Sequence, residues 1–217
     1  MYKYILFDLD GTLTDPGLGI TNAVMYALKK FNIEVADRSE LYKFIGPPLL
    51  DSFAKYYGMS NEECQLALQY YREYFKPYGL YENTVYDGIE ALLAELKEQS
   101  YKLALATSKP EPFAVEILRH FKLDQYFDFI GGATMDEKRV RKADVIAYVL
   151  ESCSITDLSS AIMVGDREHD VLGAKEVGLE CIGVLYGYGG REELEGAGAT
   201  VIVENPEDIL KTILNHG

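Results

Sequence analysis

Two carboxylates stand two residues apart near the start of the chain, in Phe7-Asp8-Leu9-Asp10-Gly11-Thr12-Leu13. They close a short apolar run, Tyr4–Leu9, that reads as a β-strand. Residues two apart on a strand point to the same side, so Asp8 and Asp10 would share one face. Like charges that close push one carboxyl pKa up unless a cation lies between them. Mg2+, a hard cation that prefers oxygen ligands, suits such a pair. Gly11 permits the sharp turn that brings backbone N–H groups toward an anion. Taken alone, the same residues are equally a strand end followed by an Asp-Gly turn.

Three further features carry possible chemistry. Gly165-Asp166-Arg167-Glu168-His169-Asp170 follows another apolar run, and Asp166 and Asp170 are one helical turn apart. That spacing could supply a second set of oxygen ligands; by itself it reads more readily as an acidic helix N-terminus, which the helix dipole favours. Ala104-Leu105-Ala106-Thr107-Ser108-Lys109 ends a third run in hydroxyls able to donate to a phosphate oxygen. The charged run Asp136–Lys142 precedes an apolar-periodic helix. A lysine at a helix start opposes the dipole, which hints at another task for Lys142, although a solvated loop explains the run as a whole.

These features need elements to position them. Strands are expected at Tyr4–Leu9, Lys102–Ala106, Phe127–Ile130, Ala161–Val164, Glu180–Leu185 and Thr200–Val203. Several are apolar on both faces, the pattern of parallel strands covered by helices on each side. Helical stripes alternate with them: Ile89, Leu92, Leu93 and Leu96 in Asp87–Gln99; Phe113, Ile117, Leu118 and Phe121; Val145, Ile146, Val149 and Leu150. Asn205 is set to cap a last helix that opens on Pro206. The alternation predicts an α/β fold with a doubly wound, Rossmann-like parallel sheet. Between Asp15 and about Asn83 the pattern is helical throughout, with Ile20, Val24, Ala27, Leu28 and Phe31 on one stripe and a Ser60–Glu63 capping box. We therefore expect a core of residues 1–15 and 84–217 with an inserted helical cap subdomain at 16–83. Nine of the 17 tyrosines lie between Tyr42 and Tyr86. Packing of a thin helical lid accounts for them more simply than stacking on a nucleobase.

In order and context the four features closely resemble the haloacid dehalogenase superfamily of phosphohydrolases. Phe7–Leu13 is similar to its first motif, Thr107 to its second, Lys142 to its third and Gly165–Asp170 to its fourth. The helical insert and Gly187-Tyr188-Gly189 resemble the phosphoglycolate phosphatase and 5′-nucleotidase branch. The resemblance implies a Mg2+-dependent phosphatase that hydrolyses a small phosphate monoester: phosphoglycolate, a nucleoside 5′-monophosphate or a sugar phosphate. By the same token Asp8 is the nucleophile that forms an aspartyl-phosphate, and Asp10 the general acid and base. Asp8, Asp10 through its backbone carbonyl, and Asp166 hold the metal; Asp170 stands behind them on water or Lys142. Gly11, Thr12, Thr107, Ser108 and Lys142 grip the phosphoryl oxygens. The third motif departs from the branch's usual form, in which a proline-containing stretch follows the lysine. Here Lys142-Ala143-Asp144 stands in its place, and Lys138 is the alternative phosphate lysine.

The chain has 217 residues, 48% hydrophobic and 26% charged, which are ordinary globular proportions. With 35 acidic against 21 basic residues its net charge is −14, which disfavours nucleic acid polymers and anionic membranes as partners. Cys64, Cys153 and Cys181 are scattered and odd in number, against a disulfide framework or zinc site. The N-terminal apolar run is too short for a signal peptide, and no run is long enough for a membrane span, so a cytoplasmic location is expected. The expected partner is a small phosphorylated metabolite; monomer and dimer both stand open. Two other readings compete: a phosphomutase acting on a sugar phosphate, separated by whether free phosphate is released, and a phospho-receiver or binding module without turnover.

Overall fold

The computed structural model describes residues 2–215; Met1, His216 and Gly217, which the expected core segments include, lie outside the described residues. Six parallel strands form the main sheet in the order β5-β4-β1-β6-β7-β8. They are β1 (Tyr4–Phe7), β4 (Lys102–Pro110), β5 (Phe129–Ala133), β6 (Ala161–Gly165), β7 (Glu180–Val184) and β8 (Val201–Val203). A separate two-stranded ribbon pairs β2 (Thr14–Asp15) with β3 (Thr84–Val85). Strand β1 is central, in register with β4 through Phe7↔Leu105 and with β6 through Phe7↔Val164.

The helices between the strands are α4 (Ile89–Glu98), α5 (Glu111–His120), α6 (Lys142–Ser152), α7 (Glu168–Glu176), α8 (Arg191–Ala197) and α9 (Pro206–Asn215). Leu6, Ala104, Ala106, Met163 and Cys181 form one apolar face with Val145, Ile146 and Val149 of α6, Val171 and Ala174 of α7, and Leu194 of α8. The alternate residues Ile5, Phe7, Leu103, Leu105, Ile162 and Val164 are equally buried. Two buried faces explain why these strands read as continuous apolar runs. Truncating any of these large side chains to Ala is expected to cost about 2–5 kcal/mol.

The chain passes along the sheet from β1 to β4 and β5, then returns through α6 to β6, β7 and β8. The order therefore reverses beside β1, and the carboxyl ends of β1, β4 and β6 flank the crevice where ligands bind in such sheets.

Three strands differ from expectation by two or more residues at one end or both, and the other three by one residue. Strand β1 stops at Phe7, because the Leu9 carbonyl accepts from the N–H groups of Thr12, Leu13 and Thr14 and so closes a turn. Strand β4 runs on to Pro110, with a register irregularity between Thr107 and Pro110. Strand β5 begins at Phe129, since Asp124–Tyr126 forms a 3-10 turn. Asn205 caps the last helix by accepting from the Asp208 N–H at 3.1 Å.

By compactness the chain divides into two units, one made of the segments that end at Thr14 and resume at Val85, the other Asp15–Thr84. The second is helical: α1 (Gly17–Lys30), a 3-10 segment Arg38–Phe44, α2 (Leu49–Tyr57), α3 (Asn61–Tyr74) and a π turn Phe75–Gly79. Ser60 and Glu63 form a reciprocal capping box at the start of α3. Its interior is aromatic: the Phe44 ring lies 5.2 Å from Phe53 and 5.6 Å from Tyr56, and Tyr71 stacks on Phe75 at 5.1 Å. Of its tyrosines, Tyr71 is buried, while Tyr42, Tyr78 and Tyr81 are exposed. Among the described residues, no helix is long and apolar enough to cross a membrane.

Candidate active site

Asp8 follows β1 directly, and its N–H donates to the Val164 carbonyl of β6 at 2.9 Å. The chain then turns at Gly11, whose φ of +83° suits glycine. A side chain there would also collide with the Asp166 carboxylate, 2.2 Å from the added Cβ. Gly187 and Gly189, beyond β7, crowd Asp166 in the same way: a Cβ on Gly187 would lie 2.4 Å from the Asp166 Cβ, and one on Gly189 1.9 Å from its carbonyl oxygen. Three glycines thus let backbone close around one carboxylate. Asp166 is fully buried, accepting from the Tyr188 N–H at 2.7 Å and the Thr12 hydroxyl at 3.4 Å.

Lys142 opens α6 and is 7% exposed. Its ammonium donates to Asp8 Oδ1 at 2.7 Å and the Ala106 carbonyl at 3.0 Å, and it lies 2.8 Å from Asp170 Oδ1. Its stem lies over Gly173 of α7, where a Cβ would come within 2.7 Å of the lysine Cγ. The placement accounts for a lysine at a helix start: its charge is held by carboxylates of two other elements rather than by its own helix. Lys138, the alternative, is solvent-exposed and paired with Asp136 at 3.0 Å. Asp170 also caps α7, accepting from the Arg167 N–H at 3.0 Å.

Carboxylate oxygens of Asp8, Asp166 and Asp170 lie within 4.8 Å of one another. Asp10 stands beside this cluster with a different partner. Its Oδ2 accepts from Lys109 at 2.6 Å, both side chains being buried, while its Oδ1 is buried without a hydrogen-bond partner. Thr107, 1% exposed at the register irregularity of β4, accepts from the Lys109 N–H at 3.2 Å; Ser108 between them is half-buried.

The structure therefore brings Asp8, Asp10, Asp166, Asp170, Thr107 and Lys142 to one end of the sheet. Gly11 and Thr12 have partners within the chain. The Gly11 N–H bonds the Thr14 carbonyl at 2.8 Å and the Thr12 N–H the Leu9 carbonyl, so both are taken up in closing the turn, and the Thr12 hydroxyl is turned to Asp166. Lys109 is the buried side chain that sequence reasoning passed over. The signal was present in Thr107-Ser108-Lys109, but a lysine two residues past a strand end carries no mark that distinguishes it from a solvated one.

The electrostatics follow from this crowding. Burial pushes the Asp166 carboxyl well above the ordinary range, and the charges of Asp170 and Asp8 push it further. Burial also raises Asp170 and Asp10, against the pull of Lys142 on the first and Lys109 on the second. Burial alone would lower the Lys142 ammonium, but Asp170 and Asp8 outweigh it and raise it. In formal charge, the Asp8–Asp166–Asp170 cluster exceeds Lys142 by two negative charges. Three hard oxygen donors and a deficit of two positive charges fit a divalent cation such as Mg2+.

Residues 5–184 match the family model described as haloacid dehalogenase-like hydrolase. The chain belongs to that family. This hydrolase is 47% identical over 193 residues to a 5′-nucleotidase of Pseudomonas aeruginosa, covering 89% of this chain and 87% of the relative. It is 39% identical to a protein of Mycobacterium tuberculosis named tyrosine-protein kinase PtkA, over 92% of this chain and 68% of that one. A crystal structure of a predicted phosphatase from Clostridium acetobutylicum superposes with a TM-score of 0.97 at 53% identity, covering 99% of each chain. The hydrolase is a phosphatase of this family, with an α/β fold built on the six-stranded parallel sheet.

Proposed function

We propose that this phosphatase hydrolyses a small phosphate monoester in two steps through Asp8. An Asp8 carboxylate oxygen attacks phosphorus, the bond from phosphorus to the ester oxygen breaks, and Asp10 gives its proton to the leaving alkoxide. Water then attacks the aspartyl-phosphate, passing a proton to Asp10, and the bond from phosphorus to Asp8 breaks to release phosphate. The observation that carries this reading is the pairing of two buried carboxylates with two different ammonium groups, Asp8 with Lys142 and Asp10 with Lys109. Different surroundings are what allow neighbouring carboxyls to hold different protonation states, one as nucleophile and one as acid.

Asp8, Asp166 and the Asp10 backbone carbonyl are the groups we assign to Mg2+, with Asp170 beside them on Lys142. The ion, when bound, shields the charge between an anionic nucleophile and an anionic phosphate. Lys142 and Thr107 stand where they can bind phosphoryl oxygens as charge shifts toward the leaving group. The helical unit is assigned the part of a cap that selects the substrate.

A panel of phosphoglycolate, nucleoside 5′-monophosphates and sugar phosphates, assayed for free phosphate with and without Mg2+, tests the reading. Mg2+-dependent phosphate release that Asp8→Asn abolishes is the expected result. Transfer of phosphate to a hydroxyl acceptor with no free phosphate would replace hydrolysis by a mutase- or kinase-type reaction.

A further inference from the structure

The Asp10 carboxylate is held asymmetrically. One oxygen, Oδ2, is anchored by the Lys109 ammonium at 2.6 Å. The other, Oδ1, is buried and has no hydrogen-bond partner. An unpaired buried carboxylate oxygen is costly, and such atoms call for an explanation. Lys109 is itself firmly placed. Its side chain is 4% exposed, although lysine normally keeps its head in water. Its backbone lies in the irregular stretch of β4 between Thr107 and Pro110, with its N–H on the Thr107 hydroxyl. Glycine at position 132 lets β5 come up against it, since a Cβ there would lie 2.8 Å from the Lys109 carbonyl oxygen.

We propose that Lys109 is a positioning residue for Asp10: by anchoring Oδ2 it leaves Oδ1 as the single oxygen that carries the proton to the ester oxygen. The inference rests on the two-step reading above. An ammonium on one oxygen fixes the rotamer of the carboxyl, so the free oxygen meets the reacting atom without a search. Lys109 thus acts through Asp10 and need not touch substrate.

The effect of losing it then depends on the leaving group. A p-nitrophenolate departs readily and needs no proton; an alkoxide does not. In single-turnover experiments on the full chain with Mg2+, Lys109→Met is expected to slow release of an alkyl alcohol by about 10²–10⁴-fold, the usual worth of a positioned acid. Release of p-nitrophenol in the first turnover should change by no more than a few-fold. Lys109→Arg should recover part of the loss. In an Asp10→Asn background Lys109→Met should add no further slowing, because the group it positions can no longer give a proton. Thermal melts of each variant monitor folding, and the selectivity between the two esters cannot arise from loss of folded protein.

Equal slowing with both esters would overturn the inference, as would a rise in KM alone, which would make Lys109 a substrate-binding group. Undiminished alcohol release would overturn it too. If the wild-type chain transfers no phosphoryl group from either ester, the two-step reading fails and takes this inference with it; selective failure of the leaving-group effect removes only the part assigned to Lys109.

Discussion

The two ends of the main sheet hold charge in opposite ways. At the amino ends of the strands, Asp128 meets Lys97 at 2.7 Å, Lys102 at 3.0 Å and the Leu103 N–H at 2.9 Å. Partial burial pulls that carboxyl upward, but the lysines and the N–H prevail and hold it below its ordinary value. At the carboxyl ends, four buried aspartates share two lysines, and Asp10, Asp166 and Asp170 are pushed up. One end has acid held by surplus base near solvent, an arrangement that contributes stability. The other has surplus acid sealed from water, which opposes stability and is a load that a bound cation would relieve.

Four substitutions probe that contrast, in decreasing order of effect. Asp8→Asn removes the proposed nucleophile and should bring phosphate release down to background, while the amide keeps an oxygen for Lys142; residual Mg2+-dependent turnover would break the assignment. Gly11→Ala should be nearly as damaging to activity. A Cβ there meets the Asp166 carboxylate at 2.2 Å in a backbone conformation L-residues rarely adopt, so either the turn or Asp166 must move, and circular dichroism with activity would register it.

Asp166→Asn separates stability from function. It should abolish the stabilisation expected from added Mg2+, read as a Tm shift. It should also raise the Tm of the metal-free protein, by about 2–4 °C for each kcal/mol of buried charge relieved. A metal-free variant that melts lower would show that the acidic cluster is not under electrostatic load.

Asp128→Asn should cost only about 0.2–1 kcal/mol at neutral pH, the usual worth of a solvent-accessible pair. Because the folded Asp128 carboxyl lies below its unfolded value near ~3.9, its contribution is present above that pH. It fades as pH falls through the folded value. Denaturant melts of wild type and variant should therefore converge in acid and stay apart at neutrality. Divergence in acid would reverse the sign assigned to this end.

The same contrast explains what could be read from the sequence. The strands were legible because burial on both faces leaves uninterrupted runs such as Ala161–Val164, and Ser60 with Glu63 announced a helix start by chemistry local to four residues. Asp8, Asp10, Asp166 and Asp170 stood out because each follows such a run, so the topology alone could gather them. What could not be read was partnership. Nothing in the local sequence tells that Lys142 turns to Asp8 across 134 positions or that Lys109 reaches Asp10 across 99. Nor does the sequence tell that the Gly11 and Thr12 N–H groups bond carbonyls within the turn after Asp8 and Asp10, or that the Thr12 hydroxyl lies on Asp166. Gly187 and Gly189 were legible only as part of the family resemblance; the need for glycine there comes from Asp166, which packs against both.

Everything assigned to this end of the sheet depends on a covalent bond between phosphorus and Asp8. The most direct measurement is peptide mapping by mass spectrometry of Asp10→Asn, quenched in acid during turnover of p-nitrophenyl phosphate. Its departing group needs no proton, whereas hydrolysis of the intermediate lacks its base. The account predicts a phosphorylated peptide whose modification maps to Asp8 and disappears in Asp8→Asn; phosphate released from wild type with no modified peptide in the trapping variant, or with the modification on another residue, would contradict it.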